Sequence, residues 1–313
     1  MNDRRKTGSE RRRPGVDYEP GSELAASADP VARLSVRKTW KLYVNGAFVR
    51  SESGRYLVTA DGVDNYPWSS RKDGRDAVTA AQGAQRSWAG KTAYNRGQIL
   101  YRLGEVMEGR RAELSESLSR GGTADADREV DAAIDRVVSY AGWSDKYQSL
   151  FASSNPVSGP HFGFSIPDAM GVVAVAAPDR PSLLGLVGSV CPIIVSGNTA
   201  VVLVSEPDPL TALLWAECLA TSDLPNGVVN LLSGKRAEVL PHLAKHMGVR
   251  ALDLWSLPED VATQIETLAA DNVKRVSRRE WDAEGWFDES RGVSPGNIER
   301  FVETKTVWHP MGA

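Results

Sequence analysis

The first clear pattern of hydrophobic and polar positions covers residues 41–49, where two short apolar runs flank Asn45 and Gly46. An Asn-Gly pair between two such runs predicts a β-hairpin. From residue 73 to 116 the apolar positions recur every three or four residues, which predicts helices. Residues 131–147 repeat that spacing and predict a further helix.

A second pattern begins near residue 171, where short apolar runs alternate with longer helical stretches. The predicted strands are residues 171–177, 199–204, 227–232, 249–254 and 272–276. The predicted helices between them are residues 182–194, 209–221, 235–246 and 259–270. Strands that are apolar on both faces belong in a parallel sheet covered by helices on both sides. The pattern therefore predicts an α/β fold of the Rossmann-like type, preceded by a helical region.

The alternation stops after residue 277. Residues 278–297 are charged and irregular, with Trp281 and Trp286 as their large apolar anchors. Residues 301–308 then alternate like an edge strand. The uncharged run 183–204 superficially resembles a membrane span, but Pro192 and a Ser-Gly-Asn turn divide it. We therefore interpret it as a buried helix, a turn and a buried strand.

Composition and charge narrow the function classes. The 313 residues carry a net charge of −3, from 37 Lys and Arg against 40 Asp and Glu, so no global basic field is available for nucleic acid. Residues 1–36 form a predicted disordered tail with basic clusters, which leaves nucleic-acid binding as a weaker alternative. The two cysteines, Cys191 and Cys218, lie in apolar segments. This usage favours a reducing compartment such as the cytoplasm over a disulfide framework.

Six segments, in this order, resemble the aldehyde dehydrogenase family. They are KLYVNGAFV, DAAIDRVVSYAGWSDKY, PVSGPHFGF, SGNTAVV, DLPNGVVNLLSG and NVKRV. The resemblance covers roughly residues 40–277 and implies an NAD- or NADP-binding domain over residues 37–277. It also implies that a β-hairpin near residues 156–170 belongs to an oligomerisation module.

The resemblance breaks where the family's catalytic domain should begin. In the family, the NVKRV-like strand leads into a Glu-Leu-Gly-Gly segment that carries a general-base glutamate, and a nucleophilic cysteine follows. Here the strand continues into Ser277-Arg278-Arg279, and no cysteine follows Cys218. The tail FVETKTVWHP nevertheless resembles the family's C-terminal oligomerisation strand. We therefore interpret residues 278–313 as an irregular segment and that strand, with the catalytic domain between them lost.

No catalytic residue is predicted. Aldehyde oxidation requires a thiolate nucleophile and a base that activates water. Cys191 and Cys218 both lie within apolar helices, where a small buried residue is the preferred interpretation. His242 and His246 are spaced i, i+4, but neither an HExxH motif nor a third ligand accompanies them, so no metal site is predicted.

The resemblance assigns five candidate cofactor-binding residues: Pro178, Asp179, Glu206, Gly234 and Ser256. Pro178 and Asp179 correspond to the family's Pro-Trp-Asn stretch, in which the asparagine helps to stabilise the oxyanion. An ionised Asp179 has no proton to donate there. Glu206 matches the family's ribose-binding glutamate, although a solvated residue at a helix entry is an equally good interpretation.

Two further positions depart from the family. Leu203 replaces a lysine that binds the adenosine ribose. Ser256 ends a segment that corresponds to the family's Phe-Thr-Gly-Ser turn, but Trp255 occupies the glycine position, where a side chain fills space near the dinucleotide. Glu259 and Asp260 then compete with a pyrophosphate at a helix N-terminus. Binding of NAD or NADP is therefore doubtful on the sequence.

Two main hypotheses follow. The first is a non-catalytic subunit or regulator that pairs with itself or with a full-length aldehyde dehydrogenase through the hairpin and the terminal strand. The second is an oxidoreductase that binds the dinucleotide and receives its catalytic groups from a partner chain. No membrane partner is expected, and nucleic acid is the weaker third possibility.

Overall fold

The predicted alternation of strands and helices is present in the computed structural model, which describes residues 36–312. The strands are β1 (Leu42–Val44), β2 (Ala47–Val49), β3 (Tyr56–Val58), β4 (Asn65–Pro67), β5 (Ser153–Asn155), β6 (His161–Ala169), β7 (Val172–Ala176), β8 (Thr199–Leu203), β9 (Val229–Leu232), β10 (Val249–Trp255), β11 (Arg275–Arg279) and β12 (Val302–Pro310). The helices are α1 (Arg71–Ala89), α2 (Ala93–Gly109), α3 (Arg111–Arg120), α4 (Ala126–Trp143), α5 (Tyr147–Phe151), α6 (Ser182–Val195), α7 (Pro209–Thr221), α8 (Arg236–Lys245), α9 (Glu259–Ala270), α10 (Ala283–Phe287), α11 (Glu289–Gly292) and α12 (Gly296–Glu299). The tail predicted for residues 1–36 lies, apart from Val36, outside the described residues.

The main sheet has seven strands in the order β11-β10-β7-β8-β9-β1-β2. The five strands from β7 to β11 pair in parallel, as the sequence predicts. Alternate residues of β8 enter different cores: Ala200 and Val202 pack with α6 and α7, whereas Val201 and Leu203 pack with α1 and α8. Both faces of the sheet are therefore covered by helices, which explains why its strands are apolar throughout.

The predicted hairpin near the start also belongs to this sheet. Asn45 and Gly46 have φ of 54° and 73°, the left-handed values that a tight two-residue hairpin turn requires. A Cβ atom at Gly46 would lie 2.0 Å from Oδ1 of Asn226, so no larger residue fits there. Strand β1 pairs antiparallel with β9 through Tyr43 and Leu231, which makes the sheet mixed.

Three predictions differ from the structure. The last parallel strand is Arg275–Arg279 rather than residues 272–276, because the backbone N–H groups of residues 272–274 donate to carbonyls at the end of α9 and form a turn. Helix α4 begins at Ala126, five residues early, since the side chain of Asp125 caps it. The segment called irregular, residues 278–297, contains three short helices.

Residues 281–301, the covering segment, fold back over helix α4. Three α4 side chains on one helical stripe donate hydrogen bonds to its backbone carbonyls. Arg136 donates to Trp286 O at 3.0 Å, Tyr140 to Gly292 O at 2.8 Å, and Trp143 to Val293 O at 2.8 Å. Their i, i+4, i+7 spacing places all three on the same side of the helix. The covering segment is thus held through its main chain in addition to its buried side chains, which include Trp286, Ile298 and Phe301.

A buried ion pair joins β10, β11 and the covering segment. The Asp253 carboxylate is fully buried and accepts hydrogen bonds from Nε and Nη2 of Arg279, the first at 2.9 Å. Trp255 Nε1 also donates to Asp253 at 2.8 Å, and Arg279 donates to Asn297 Oδ1 at 3.1 Å. The guanidinium carbon lies 4.0 Å from the Trp255 ring centroid. Each polar group is therefore paired, as burial demands.

Three indole rings pack beside this pair. The ring centroids of Trp255 and Trp286 are 4.4 Å apart, and Trp281 lies 5.0 Å from Trp255 and 4.7 Å from Trp286. The two anchors expected in the irregular segment thus pack on the residue that occupies the family's glycine position. Trp255 itself is completely buried and belongs to the hydrophobic core.

A second, three-stranded sheet has the order β12-β6-β5. The terminal strand β12 pairs antiparallel with β6 along all nine of its residues, from Val302 opposite Ala169 to Pro310 opposite His161. Strands β5 and β6 form the hairpin expected near residues 156–170, and its paired residues begin three positions earlier, at Ser153. The apolar run 183–204 forms α6 and β8, and none of the helices within residues 36–312 has the length and hydropathy needed to cross a membrane.

The buried ion pair predicts an asymmetry between two neighbouring arginines. Arg279→Met leaves the buried Asp253 carboxylate without its cationic partner. We therefore expect this substitution to lower the free energy of unfolding by about 3–5 kcal/mol. Arg278 pairs with exposed Glu259 at the surface, so Arg278→Met should leave the free energy of unfolding close to that of the wild type. Urea denaturation of both variants measures the difference. Equal losses would contradict this account of the pair.

Candidate functional site

A cavity of about 370 Å³ opens at the carboxyl ends of the parallel strands. Its polar lining comes from the loops after β7, β8, β9 and β10, which supply Asp179, Glu206, Arg236 and Ser256. Helices α8 and α9 supply apolar side chains on its other side. The volume falls within the range of about 300–1,000 Å³ typical of small-molecule sites. Its position matches the end of an open α/β sheet where ligands bind.

Asp179 is engaged by a neighbouring cation. Its carboxylate forms an ion pair with Arg236, and Oδ1 also accepts a hydrogen bond from the Glu206 backbone N–H at 3.0 Å. The Arg236 side chain is almost wholly buried, whereas that of Asp179 is about half exposed. Asp179 therefore acts as the hydrogen-bond acceptor in both contacts.

Glu206 is held by the start of helix α8. Its Oε1 accepts a hydrogen bond from the Arg236 backbone N–H at 2.8 Å, and its Oε2 lies 3.0 Å from Nζ of Lys235. This hydrogen bond raises the pKa of Lys235 above its usual value. A carboxylate at a helix N-terminus is stabilised by the orphan N–H groups and the helix dipole. A ribose hydroxyl would have to share or displace these partners.

Pro178, Gly234 and Leu203 lie around the cavity without lining it. A Cβ atom at Gly185 would meet Pro178 Cγ at 2.3 Å, so Pro178 packs on the first turn of α6. Gly234 has φ of 119°, and a Cβ there would lie 2.9 Å from the Trp68 ring. Leu203 is buried in the core with α1 and α8. Of the five candidates, the structure brings Asp179, Glu206 and Ser256 together.

Ser256 lies exposed at the cavity, with a positive φ of 48° and its N–H donated to Arg279 O at 2.9 Å. Helix α9 follows, and Glu259 in its first turn pairs with Arg278. At the N-terminus of α6, the buried Glu129 carboxylate accepts hydrogen bonds from the N–H groups of Leu183 at 2.7 Å and Leu184 at 3.2 Å. Burial raises the pKa of Glu129. Carboxylates therefore stand at the N-termini of α6, α8 and α9, where a phosphate would otherwise bind.

Both cysteines of the chain are buried. Burial raises the pKa of Cys191 to about 12 and that of Cys218 to about 11. The thiolate is the nucleophilic form of cysteine, so neither side chain is activated near neutral pH. Neither lines the cavity at the strand ends.

His242 and His246, which are spaced i, i+4, do not belong to a cluster of metal ligands among the described residues. His242 is exposed, and His246 accepts a hydrogen bond from the Gly248 N–H at 3.0 Å. Among residues 36–312, no cluster of three or more His, Cys, Asp or Glu side chains could hold a metal ion.

Sequence reasoning missed the two residues that decide the electrostatics of this site, Lys235 and Arg236. They follow Gly234, directly after the strand predicted for residues 227–232. The available signal was that two cations directly follow one predicted strand, just as Asp179 and Glu206 follow the two strands before it. The carboxyl ends of parallel strands lie at the same end of a sheet. Asp253 was likewise an acidic residue in an apolar strand, which requires a buried partner.

The parallel sheet with helices on both faces, and with this cavity at the carboxyl ends of its strands, is a Rossmann-like fold. The family model described as "Aldehyde dehydrogenase family" matches residues 56–279. The chain belongs to the aldehyde dehydrogenase family. It is 27% identical over 280 residues to the mitochondrial 10-formyltetrahydrofolate dehydrogenase of Mus musculus, covering 85% of this chain and 30% of that protein. It is 30% identical over 287 residues to retinal dehydrogenase 2 of Gallus gallus, covering 87% of this chain and 55% of that protein.

Solved structures of aldehyde dehydrogenases have a similar fold over the part that this chain covers. An aldehyde dehydrogenase from Bacillus cereus, solved with NAD+, superposes with a TM-score of 0.73 at 24% identity, covering 78% of this chain and 51% of that one. Aldehyde dehydrogenase C from Pseudomonas syringae, solved with NAD+ and octanal, gives a TM-score of 0.71 at 27% identity, covering 77% and 50%. The chain thus spans about half of these structures.

The buried thiols predict chemical inertness. At pH 8 we expect iodoacetamide to leave Cys191 and Cys218 unmodified in the folded protein, because both are protonated and inaccessible. In guanidinium chloride both should react at the rate of a free cysteine. Mass spectrometry over time measures the modified fraction. Rapid modification of either residue in the folded chain would show an accessible, activated thiol.

Proposed function

We propose that this chain is a non-catalytic member of the aldehyde dehydrogenase family that acts as a subunit or regulator. Burial of both cysteines carries the proposal, because no other thiol is present to form a thiohemiacetal. The partner is a second copy of the chain or a full-length aldehyde dehydrogenase. Two free thiols suit the cytoplasm, which we propose as the location.

The state of the cofactor cavity supports this proposal. The cavity lies at the carboxyl ends of the parallel strands, with Glu206 and Ser256 on its lining. However, Glu206 already forms an ion pair with Lys235, and Asp179 forms one with Arg236. The charges of the site therefore balance within the chain. A dinucleotide must break these contacts and bring two phosphate charges close to the carboxylates. We therefore propose that NAD and NADP bind weakly or not at all.

Calorimetric titration of the full chain tests this expectation. NAD and NADP should give no saturable heat at ligand concentrations up to about 1 mM, a limit that corresponds to about −4.1 kcal/mol. The Glu206→Gln variant should behave like the wild type. Glu238→Gln is the matched control, because Glu238 pairs with Arg55 outside the cavity.

The opposite result would favour the second hypothesis, an oxidoreductase completed by a partner chain. It requires a dissociation constant below about 1 mM that Glu206→Gln weakens and Glu238→Gln does not. The specific observation in its favour is the retained cavity that Asp179, Glu206 and Ser256 share. Such a result would direct the search to a partner that supplies a cysteine.

The second sheet supports pairing. Strand β12 is its edge, and in the part of the chain that the structure describes no strand covers the outer side of β12. Apolar side chains are exposed on this sheet: Trp308 is 62% exposed, Phe162 47% and Ile166 38%. An open edge with apolar side chains is a template for strand addition by another chain.

Light scattering during size-exclusion chromatography tests the pairing. We expect the wild-type chain to be a dimer or larger, and Trp308→Glu to shift it to the monomer, since a charge at this exposed position opposes apolar burial. Tyr94→Glu, which changes an equally exposed aromatic on α2, should leave the oligomer intact. A monomeric wild-type chain that recovers no aldehyde dehydrogenase from its own host would sink the proposal.

A further inference from the structure

A second cavity, of about 510 Å³, lies at the opposite end of the main sheet. Arg250 is the second residue of β10, and Lys274 directly precedes β11. Met170 comes just before β7 and also lines the cavity. The amino ends of three adjacent parallel strands therefore frame this cavity, whereas the candidate cofactor cavity lies at their carboxyl ends.

Lys274 is the unusual group of this cavity. Its Nζ atom is buried and has no hydrogen-bond partner among residues 36–312. An ammonium has three protons to donate, so an unpartnered buried one carries a desolvation cost that nothing offsets. Burial, followed by the nearby charge of Arg250, lowers the pKa of Lys274 below its usual value.

Arg250 adds a second cation without a carboxylate. Its exposed side chain forms no hydrogen bond or ion pair with any other described residue. Arg275 on the same lining differs, because it donates to Val302 O at 2.8 Å and to the Glu303 carboxylate at 3.2 Å. Glu303 therefore balances Arg275, and the charges of Arg250 and Lys274 remain uncompensated in the cavity.

Burial lowers the pKa of His246, and the charges of Lys274 and Arg75 lower it further. Next to Lys274, Val273 is 92% exposed and has φ of 53°. A β-branched residue rarely adopts this left-handed conformation, and such strain is found where function requires a fixed backbone.

We propose that Arg250 and Lys274 form a binding site for a phosphate group, carried by inorganic phosphate or by a small phosphate monoester. The planar guanidinium of Arg250 presents two parallel N–H donors to two phosphate oxygens, and the Lys274 ammonium donates to a third. The doubly charged ligand offsets the repulsion between the two cations and gives the buried ammonium its missing acceptor. The site is separate from the cofactor cavity and does not depend on the proposed function.

Thermal unfolding and calorimetry of the full chain test the site at constant ionic strength, with sodium chloride replacing phosphate as the reference. We expect inorganic phosphate to raise the melting temperature saturably. Lys274→Met and Arg250→Gln should each weaken phosphate binding at least tenfold. Lys274→Met should also melt at a higher temperature than the wild type without phosphate, since it removes the unpaired buried charge. Arg250 is exposed, so Arg250→Gln reports on binding without threatening the fold.

Lys235→Met is the matched control, because Lys235 lies at the cofactor end of the sheet. It should bind phosphate as the wild type does. Loss of binding in this variant, with binding kept in Lys274→Met, would place the anion in the cofactor cavity and overturn the proposal. Absence of any saturable phosphate effect would also overturn it. Glycerol phosphate, titrated in parallel, distinguishes the sources: tighter binding than phosphate assigns the site to a monoester.

Discussion

A single buried carboxylate constrains the whole carboxyl-terminal part of this molecule. Asp253 lies in the middle of an apolar strand with no exposure, where an anion is tolerated only if it is paired and fully hydrogen-bonded. Arg279 supplies the charge, and Trp255 supplies a further donor. Strand β11 must therefore extend to residue 279, and the chain beyond it must turn back so that Asn297 meets the remaining face of the guanidinium. The guanidinium also lies over the Trp255 ring, and Trp281 and Trp286 pack against that same ring.

Charged side chains are also paired with one another at the carboxyl ends of the parallel strands, where the candidate cofactor cavity lies. There the cations are Lys235 and Arg236, and the anions are Glu206 and Asp179. Each charge that a dinucleotide could use already has a partner from the chain itself. The amino end of the sheet lacks this balance, since Arg250 and Lys274 line one cavity and neither has an acidic partner among the described residues. The two ends of the sheet therefore differ in how completely their charged side chains are paired within the chain.

The sequence predicted the parallel sheet and its helices well, because strands buried on both faces leave an unmistakable apolar pattern. Helix α7 has its predicted limits, and the hairpin at Asn45 and Gly46 is confirmed. The wrong predictions concern segments whose backbone is fixed by a few hydrogen bonds rather than by the burial of apolar side chains. Val273 looks like a strand residue but turns with the end of α9, and the covering segment follows carbonyl contacts that no side-chain pattern encodes. The pairing of Asp179 with Arg236 also escaped prediction, because it joins residues 57 positions apart that only the sheet order brings together.

The hydrogen bonds from Arg136, Tyr140 and Trp143 limit the access of other proteins to this face of helix α4. Any separate protein that approaches this face of α4 meets donors already occupied by a tethered segment of the same chain. A tethered ligand acts at an effective concentration in the millimolar range, which a freely diffusing competitor seldom reaches. Displacement would also expose the indoles of Trp281 and Trp286 to water. Another chain that docks on this face of α4 would therefore have to displace residues 281–301 first.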